Sequence, residues 1–212
     1  MQDKLNGSIQ EVNSLHFHCD CGKEHASDVE DIYLGAGVLA RGVAAIAALG
    51  QKALLIADAH TWKCAGERAA DLLSQRIALT TYIFPDETLV PDEHALGRVL
   101  MEITPGTDLL MAVGSGTIND ITRYISAKTG IPYVIIGTAP SMDGYASVVA
   151  PLIRGGVKTT YPGVYPRLIV ADTDIMKKAP GRMLAAGFGD VIGKGTALLD
   201  WRLSHILNDE DT

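Results

Sequence analysis

Ala112-Val113-Gly114-Ser115-Gly116-Thr117-Ile118-Asn119-Asp120 is the stretch on which the reading of the fold turns. The apolar segment Asp108–Val113 runs into a Gly-Ser-Gly turn, and helical spacing over Ile118–Ala127 follows, with a helix start at about Thr117. Glycines at 114 and 116 let the backbone approach a ligand closely. The free N–H groups of a helix's first turn, together with the helix dipole, suit a phosphate or pyrophosphate. The competing reading of the same residues is an ordinary tight strand-to-helix turn with Thr117 as its cap.

Working outward, the same alternation repeats. Short apolar runs rich in β-branched residues stand at Asp31–Leu34, Lys52–Ala57, Ala78–Phe84 and Tyr133–Ile136. Segments of helical spacing separate them at Leu39–Leu49, Lys63–Ser74 and Pro91–Met101. Strands spaced by helices predict βαβ units: an α/β, Rossmann-like, mostly parallel sheet with helices on both faces. The strands are nearly continuous apolar runs, as expected when both faces are covered. Beyond Ile136 lies a long Gly-, Pro-, Ser- and Tyr-rich section, 137–166, with a hairpin expected around Val149–Thr160. A strand at Arg167–Ala171 follows, and Ala179-Pro180-Gly181 then opens a helical pattern. In that pattern Met183, Leu184, Phe188, Val191, Ile192, Leu198, Trp201 and Ile206 make a wide apolar face that calls for other helices to pack on it.

At about 150 residues per domain, 212 residues make roughly one and a half domains. The expected division is a leader and hairpin over 1–28, a dinucleotide-binding domain over 29–176, and the beginning of a truncated helical domain over 177–212. A hydrophobic content of 47% supports a true core. With 18 basic against 25 acidic residues the net charge is −7, which argues against a general nucleic-acid or anionic-membrane binder. Three cysteines are too few for a disulfide scaffold and fit a reducing compartment. The polar start Met1–Val12 is unlike a signal peptide, and Ile131–Ile153 is broken by Pro132, Pro140 and Pro151, so a soluble cytoplasmic protein is expected.

Several other residues are candidates for chemistry. Gly35-Ala36-Gly37 imitates a dinucleotide fingerprint, but its third glycine falls at 42 rather than 40, which discounts it. Asp58 ends a strand where a carboxylate can hold an adenosine ribose and repel a 2′-phosphate, favouring NAD over NADP; it could equally be a helix cap. His16, His18, Cys19, Cys21 and His25 invite a zinc reading, yet the Cys-x-Cys spacing and the missing second pair favour a buried hairpin, turned at Cys21-Gly22-Lys23, with reduced thiols. Gly137–Ser147 sets hydroxyls and Asp143 at the end of a central strand, where Asp143 could also be a turn former. Asp190 is an acid embedded in an otherwise apolar helix, which needs a partner, a metal or an exposed face.

Taken together, GSGTINDITRY (114–124), GTAPSMDGYAS (137–147), GVKTTYP (156–162), VADTDIMKKAP (170–180) and AAGFGDVIGKGTALLDWRLS (185–204) closely resemble the glycerol-1-phosphate dehydrogenases, including the bacterial arabinose-operon type. These belong with the iron-type alcohol dehydrogenases, glycerol dehydrogenase and dehydroquinate synthase. The resemblance implies a dinucleotide domain followed by a helical metal domain, a homodimer in the full-length family, and reversible hydride transfer between NAD(P)H and dihydroxyacetone phosphate to give glycerol 1-phosphate. It also implies a divalent metal, zinc or nickel with iron in relatives, acting as Lewis acid on the substrate oxygen. By motif match, Gly114, Ser115, Gly116 and Thr117 would hold the pyrophosphate and Asp58 the ribose. Thr138, Ser141 and Ser147 would line the nicotinamide side, Asp143 would orient substrate hydroxyls, and Lys158 would contact the substrate phosphate or relay a proton. Asp190 would be a metal ligand. The family's two histidine ligands lie well downstream of that Asp, whereas this chain offers only His205 after Asp190, so nucleotide binding without turnover is expected. A truncated non-catalytic paralogue, or another polyol dehydrogenase or dehydroquinate-synthase-like chemistry, are the alternatives.

Overall fold

The computed structural model describes residues 7–19, 22 and 24–208. Helix α1 (Ile9–Asn13) leads to a hairpin of β1 (Phe17–His18) and β2 (Glu24–His25). The hairpin is as expected but is not buried: His18, Glu24 and His25 are exposed, and the imidazoles of His16 and His18 lie against the Glu24 carboxylate. Cys21 and Lys23 of the expected turn lie outside the described residues.

The chain continues through β3 (Asp31–Gly35), α2 (Leu39–Ile46), β4 (Lys52–Asp58), α3 (Ala59–Thr61), α4 (Glu67–Ser74), β5 (Ala78–Phe84), α5 (Glu93–Glu102), β6 (Leu109–Gly114), α6 (Gly116–Thr129) and β7 (Tyr133–Gly137). It then forms the antiparallel hairpin β8 (Val149–Arg154) and β9 (Val157–Pro162), β10 (Leu168–Asp172), α7 (Thr173–Met176) and α8 (Gly181–Asn208). Six strands make one parallel sheet in the order β3-β10-β7-β6-β4-β5. All residues of β6, β7 and β10 are buried, because helices cover both faces. Leu55, Met111 and Ile136 point to the face carrying α2 and α4; Leu54, Leu110 and Ile135 point to the face carrying α5 and α6. Each such side chain removed from water stabilises the fold by about 1.5–3 kcal/mol. Among the described residues no helix is long and apolar enough to cross a membrane.

Three local differences from the expected elements have physical causes. The helix expected from Lys63 begins at Ala59, because Asp58 caps it, and a π-helical turn over Trp62–Gly66 joins α3 to α4. The decoy glycines 35 and 37 have positive φ and belong to a turn closed by a carboxylate. Buried Asp172 accepts hydrogen bonds there from the N–H groups of Gly37 and Leu39, both at 3.0 Å, and from Asp174 N at 2.9 Å. Finally, α8 has no buried residue: Phe188, Val191, Ile192, Leu198, Trp201 and Ile206 are exposed among the described residues rather than packed on other helices.

The Asp172 carboxylate thus joins the β3–α2 turn to the end of β10. Asp172→Ala should lower the free energy of unfolding by about 3 kcal/mol, read from urea denaturation, because one buried and two part-buried donors lose a charged acceptor. A loss below about 1 kcal/mol would contradict this role.

Candidate functional site in the crevice between β4 and β6

The chain leaves β4 toward one face of the sheet, through α3 and α4, and leaves β6 toward the other, through α6. A crevice opens at their carboxyl ends, the position where open α/β sheets hold ligands. It is a cleft of about 540 Å³ with Ser115, Thr138 and Asp58 at its sheet end, and Lys63, Lys178 and Arg182 also on its walls.

The glycine turn brings strand and helix into close contact. A Cβ on Gly114 would stand 2.7 Å from Ile118 Cβ, so only glycine lets the helix follow the strand this closely. Helix α6 starts at Gly116, one residue earlier than expected, and Ser115 is the N-cap residue without any side-chain cap bond. Thr117 therefore does not cap the helix, and Ser115, which lines the cleft, leaves the first turn without a side-chain cap. Thr138 N donates to Gly114 O at 3.0 Å, tying the end of β7 to this turn.

Asp58 is both cap and cleft wall. Its Oδ1 accepts from His60 N and Thr61 N, each at 2.8 Å, while Thr61 Oγ1 accepts from Asp58 N at 3.0 Å. None of these bonds uses Oδ2, and Asp58 is one of the residues that line the cleft.

A second group of the expected residues gathers where α8 meets the loop after β7. At Gly187 a Cβ would collide with the Pro140 carbonyl and crowd Ser141, so the glycine permits the helix to touch the loop. One turn on, half-buried Asp190 accepts from Asp143 N through Oδ2 at 2.8 Å, and Lys194 Nζ lies 2.8 Å from Asp143 Oδ2. The Lys194 ammonium holds the Asp143 carboxyl below the usual carboxylate range. Ser141, Asp143 and Asp190 thus stand together, but apart from the residues lining the cleft.

Sequence reasoning missed the residue that holds this loop. Arg123, 1% exposed on α6, donates to the carbonyls of Gly144 (2.6 Å), Tyr145 (3.2 Å) and Val149 (2.9 Å), to Tyr133 Oη (3.0 Å) and to Asp120 (2.9 Å). Its only signal was an arginine three residues after Asp120 on a helix otherwise facing the core. Ser147 Oγ accepts from Val149 N, which makes it part of the same turn. Lys158 lies exposed on β9, with its charge reaching Asp120 and not the cleft. Burial pushes the Asp120 carboxyl up to about 6, against the opposing charges of Arg123 and Lys158, and pushes the Tyr133 hydroxyl up to about 12.

Residues 16–180 match the family model described as iron-containing alcohol dehydrogenase. The chain belongs to that family. It is 40% identical over 215 residues to the NAD(P)+ glycerol-1-phosphate dehydrogenase of Halalkalibacterium halodurans, covering 97% of this chain and 53% of the relative. The like-named protein of Geobacillus stearothermophilus is 38% identical over 212 residues, covering 97% and 52%. The chain therefore spans about half the length of these curated relatives. Among solved structures, a probable glycerol dehydrogenase from Sinorhizobium meliloti is 27% identical with a TM-score of 0.64, covering 76% of this chain and 44% of that one. Glycerol dehydrogenase from Schizosaccharomyces pombe has a TM-score of 0.68 at 23% identity, covering 77% and 42%, and shows the shared fold. The resemblance carried by the five motifs is thereby borne out at the level of the family.

For this member of the iron-containing alcohol dehydrogenase family, a divalent metal does not fit the residues present. Among the described residues no three or more of His, Cys, Asp and Glu are grouped as a metal site would need. Asp190 already accepts a backbone N–H, its neighbour Asp143 is neutralised by Lys194, and His205 lies fifteen residues, about 22 Å, farther along α8.

Asp120 makes stability depend on pH. Its folded pKa of about 6 lies above the ordinary 3.8, so its favourable balance is complete below pH 4 and is lost as pH rises through 6. The loss is about 3 kcal/mol at about 1.4 kcal/mol per pKa step. Asp120→Asn should flatten the stability curve between pH 4 and 7 by about that amount, read from denaturation midpoints. Parallel curves for the two proteins would show that Asp120 carries no such penalty.

Proposed function

We propose that this chain is the nucleotide-holding part of an sn-glycerol-1-phosphate dehydrogenase, seating NAD(P)H for reversible hydride transfer with dihydroxyacetone phosphate. The observation that carries the reading is the glycine turn at the crevice: α6 begins at Gly116 without a side-chain cap, beside an Asp58 with one uncommitted oxygen. The named relatives at 40% and 38% identity support the substrate.

In this reading the N–H groups around Gly114, Ser115, Gly116 and Thr117 donate to the pyrophosphate, as a helix N-terminus favours an anion. Asp58 Oδ2 accepts from the adenosine ribose. Thr138 lies on the nicotinamide side, with Ser141 and Ser147 on the loop that Arg123 steadies. Asp143 orients a substrate hydroxyl by exchanging Lys194 for it. Hydride addition to a carbonyl builds negative charge on oxygen, which must be stabilised where it develops. The described residues supply no such centre, so the chain alone binds nucleotide and does not turn over.

Fluorescence titration should show saturable NADH binding by the 212-residue chain. Gly116→Glu should weaken it more than about tenfold, since a carboxylate would repel the pyrophosphate at a position with room for a side chain. Dihydroxyacetone phosphate should elicit no NADH oxidation. Unchanged affinity in the variant would remove the pyrophosphate from this turn, and turnover by the chain alone would show a complete reacting centre.

A further inference from the structure

Strand β5 is an outer strand of the sheet, hydrogen-bonded to β4 alone. Along an extended strand the N–H and C=O of one residue point to the same side, and successive residues alternate. Ala78 N donates to Gln51 O at 2.9 Å, so Ala78, Thr80, Tyr82 and Phe84 turn their backbone groups toward β4. Those of Leu79, Thr81 and Ile83 point away from the sheet. The other outer strand is guarded: Gln10 of α1 donates to the Ile32 carbonyl of β3 at 3.1 Å. Among the described residues no side chain serves Leu79, Thr81 or Ile83 in that way.

A bare edge is a template for another strand, and proteins ordinarily blunt it with a lysine, a proline, a bulge or a short strand. None of these devices is present in β5. Its seven residues, Ala-Leu-Thr-Thr-Tyr-Ile-Phe, are uncharged and pair with β4 without interruption.

The strand that fits this edge is β5 of a second copy. Placed antiparallel about a twofold axis at Thr81, it sets Thr81 opposite Thr81 and Leu79 opposite Ile83. Every outward N–H of one copy then meets an outward C=O of the other. An axis on a neighbouring residue leaves Leu79 or Ile83 facing beyond the end of the strand, and an axis between residues sets outward groups against inward ones. The side chains agree with this register. Leu79, which packs on the α2 and α4 layer, would adjoin Ile83 of the second copy; Tyr82, which packs on the α5 and α6 layer, would adjoin its Thr80. Apolar and aromatic–β-branched neighbours of this kind stabilise a strand pair. Charge selects the direction. Exposed Arg76 precedes the strand and exposed Glu87 follows it, beside an Asp86 that Arg98 already holds. Antiparallel pairing brings the basic start of each copy to the acidic end of the other.

We propose that β5 is a self-association edge, through which two copies of this chain join antiparallel at Leu79, Thr81 and Ile83 into one continuous sheet. The family resemblance implies a homodimer but no surface for it, and β5 is the surface this chain offers. The inference is independent of the nucleotide reading. In the pair the carboxyl ends of β4 and β6 point in opposite directions, so the two crevices open at opposite ends of the joint sheet.

The test is sedimentation velocity of the 212-residue chain between about 1 and about 100 μM, with hydrogen exchange over residues 78–84 read by mass spectrometry at both ends of that range. A reversible dimer with a Kd on the order of 10 μM should form, since one strand pair is a small interface. Exchange at Leu79, Thr81 and Ile83 should slow more than about fivefold at the higher concentration. Thr81→Pro removes an outward donor and no bond to β4, at an edge position that tolerates proline. It should raise the Kd more than about tenfold with an unchanged circular dichroism spectrum, and Arg76→Glu should raise it about threefold. A chain that stays monomeric at about 100 μM would overturn the proposal. So would a dimer that persists unchanged in Thr81→Pro, or one that leaves the three amides exchanging at a single rate, because either assigns the contact to another surface such as the exposed apolar residues of α8. Should Thr81→Pro fail to fold, exchange in the native chain and the Kd of Arg76→Glu decide the matter.

Discussion

The helices that follow β4 and β6 leave the sheet on opposite faces, and the rest of the molecule's chemistry depends on that divergence. Two neighbouring parallel strands whose chains part in this way cannot close the space beyond their ends. Ser115 at the start of α6 and Asp58 at the end of β4 therefore stand half-buried at one crevice. The divergence is enforced by burial. Alternate residues of β4, β6 and β7 go to two separate apolar layers, and each layer needs its own helices. Reversing the face of α4 or α6 would strand one layer in water.

Around this crevice the structure uses buried charge as fastening. Asp172 closes the β3–α2 turn by taking the N–H groups that a phosphate takes in a dinucleotide turn. Gly35 and Gly37 thus have the right chemistry around the wrong anion, the protein's own carboxylate. Arg123 does the corresponding work on the other face, gathering two carbonyls of the loop after β7 and one at the start of β8 onto α6. An arginine with several fixed donors can serve such a cluster from one buried position, which a lysine's compact ammonium does less well. The loop that carries Asp143 is consequently held from below by Arg123 and from above by α8 through Gly187, Asp190 and Lys194.

Much of this was legible in the residues. The parallel sheet followed from apolar runs at helical intervals, and each of its six strands lies within a residue of its expected bounds. The glycine turn at 114–116 was recognisable because its requirement, close approach of strand and helix, is written in residue type. Three things were not legible. The face taken by each helix is decided by packing against strands distant in sequence. The grouping of Asp143, Asp190 and Lys194 depends on where α8 lands, which a pattern of exposed apolar residues does not indicate. The presence of Lys63 and Lys178 on one cleft depends on two segments more than a hundred residues apart meeting there. Asp58 was ambiguous between cap and ribose ligand; its Oδ1 is the cap of α3, and the residue also lines the cleft.

The central claim is that the crevice between β4 and β6, and not the glycine turn after β3, receives the pyrophosphate of a nicotinamide nucleotide. Amide resonances of the isotope-labelled chain, followed during titration with NADH, test it most directly. The largest shifts should fall at Ser115–Ile118 and Asp58–Lys63, with Gly35–Leu39 nearly unmoved. Shifts concentrated at Gly35–Leu39, with Ser115–Ile118 unaffected, would contradict it.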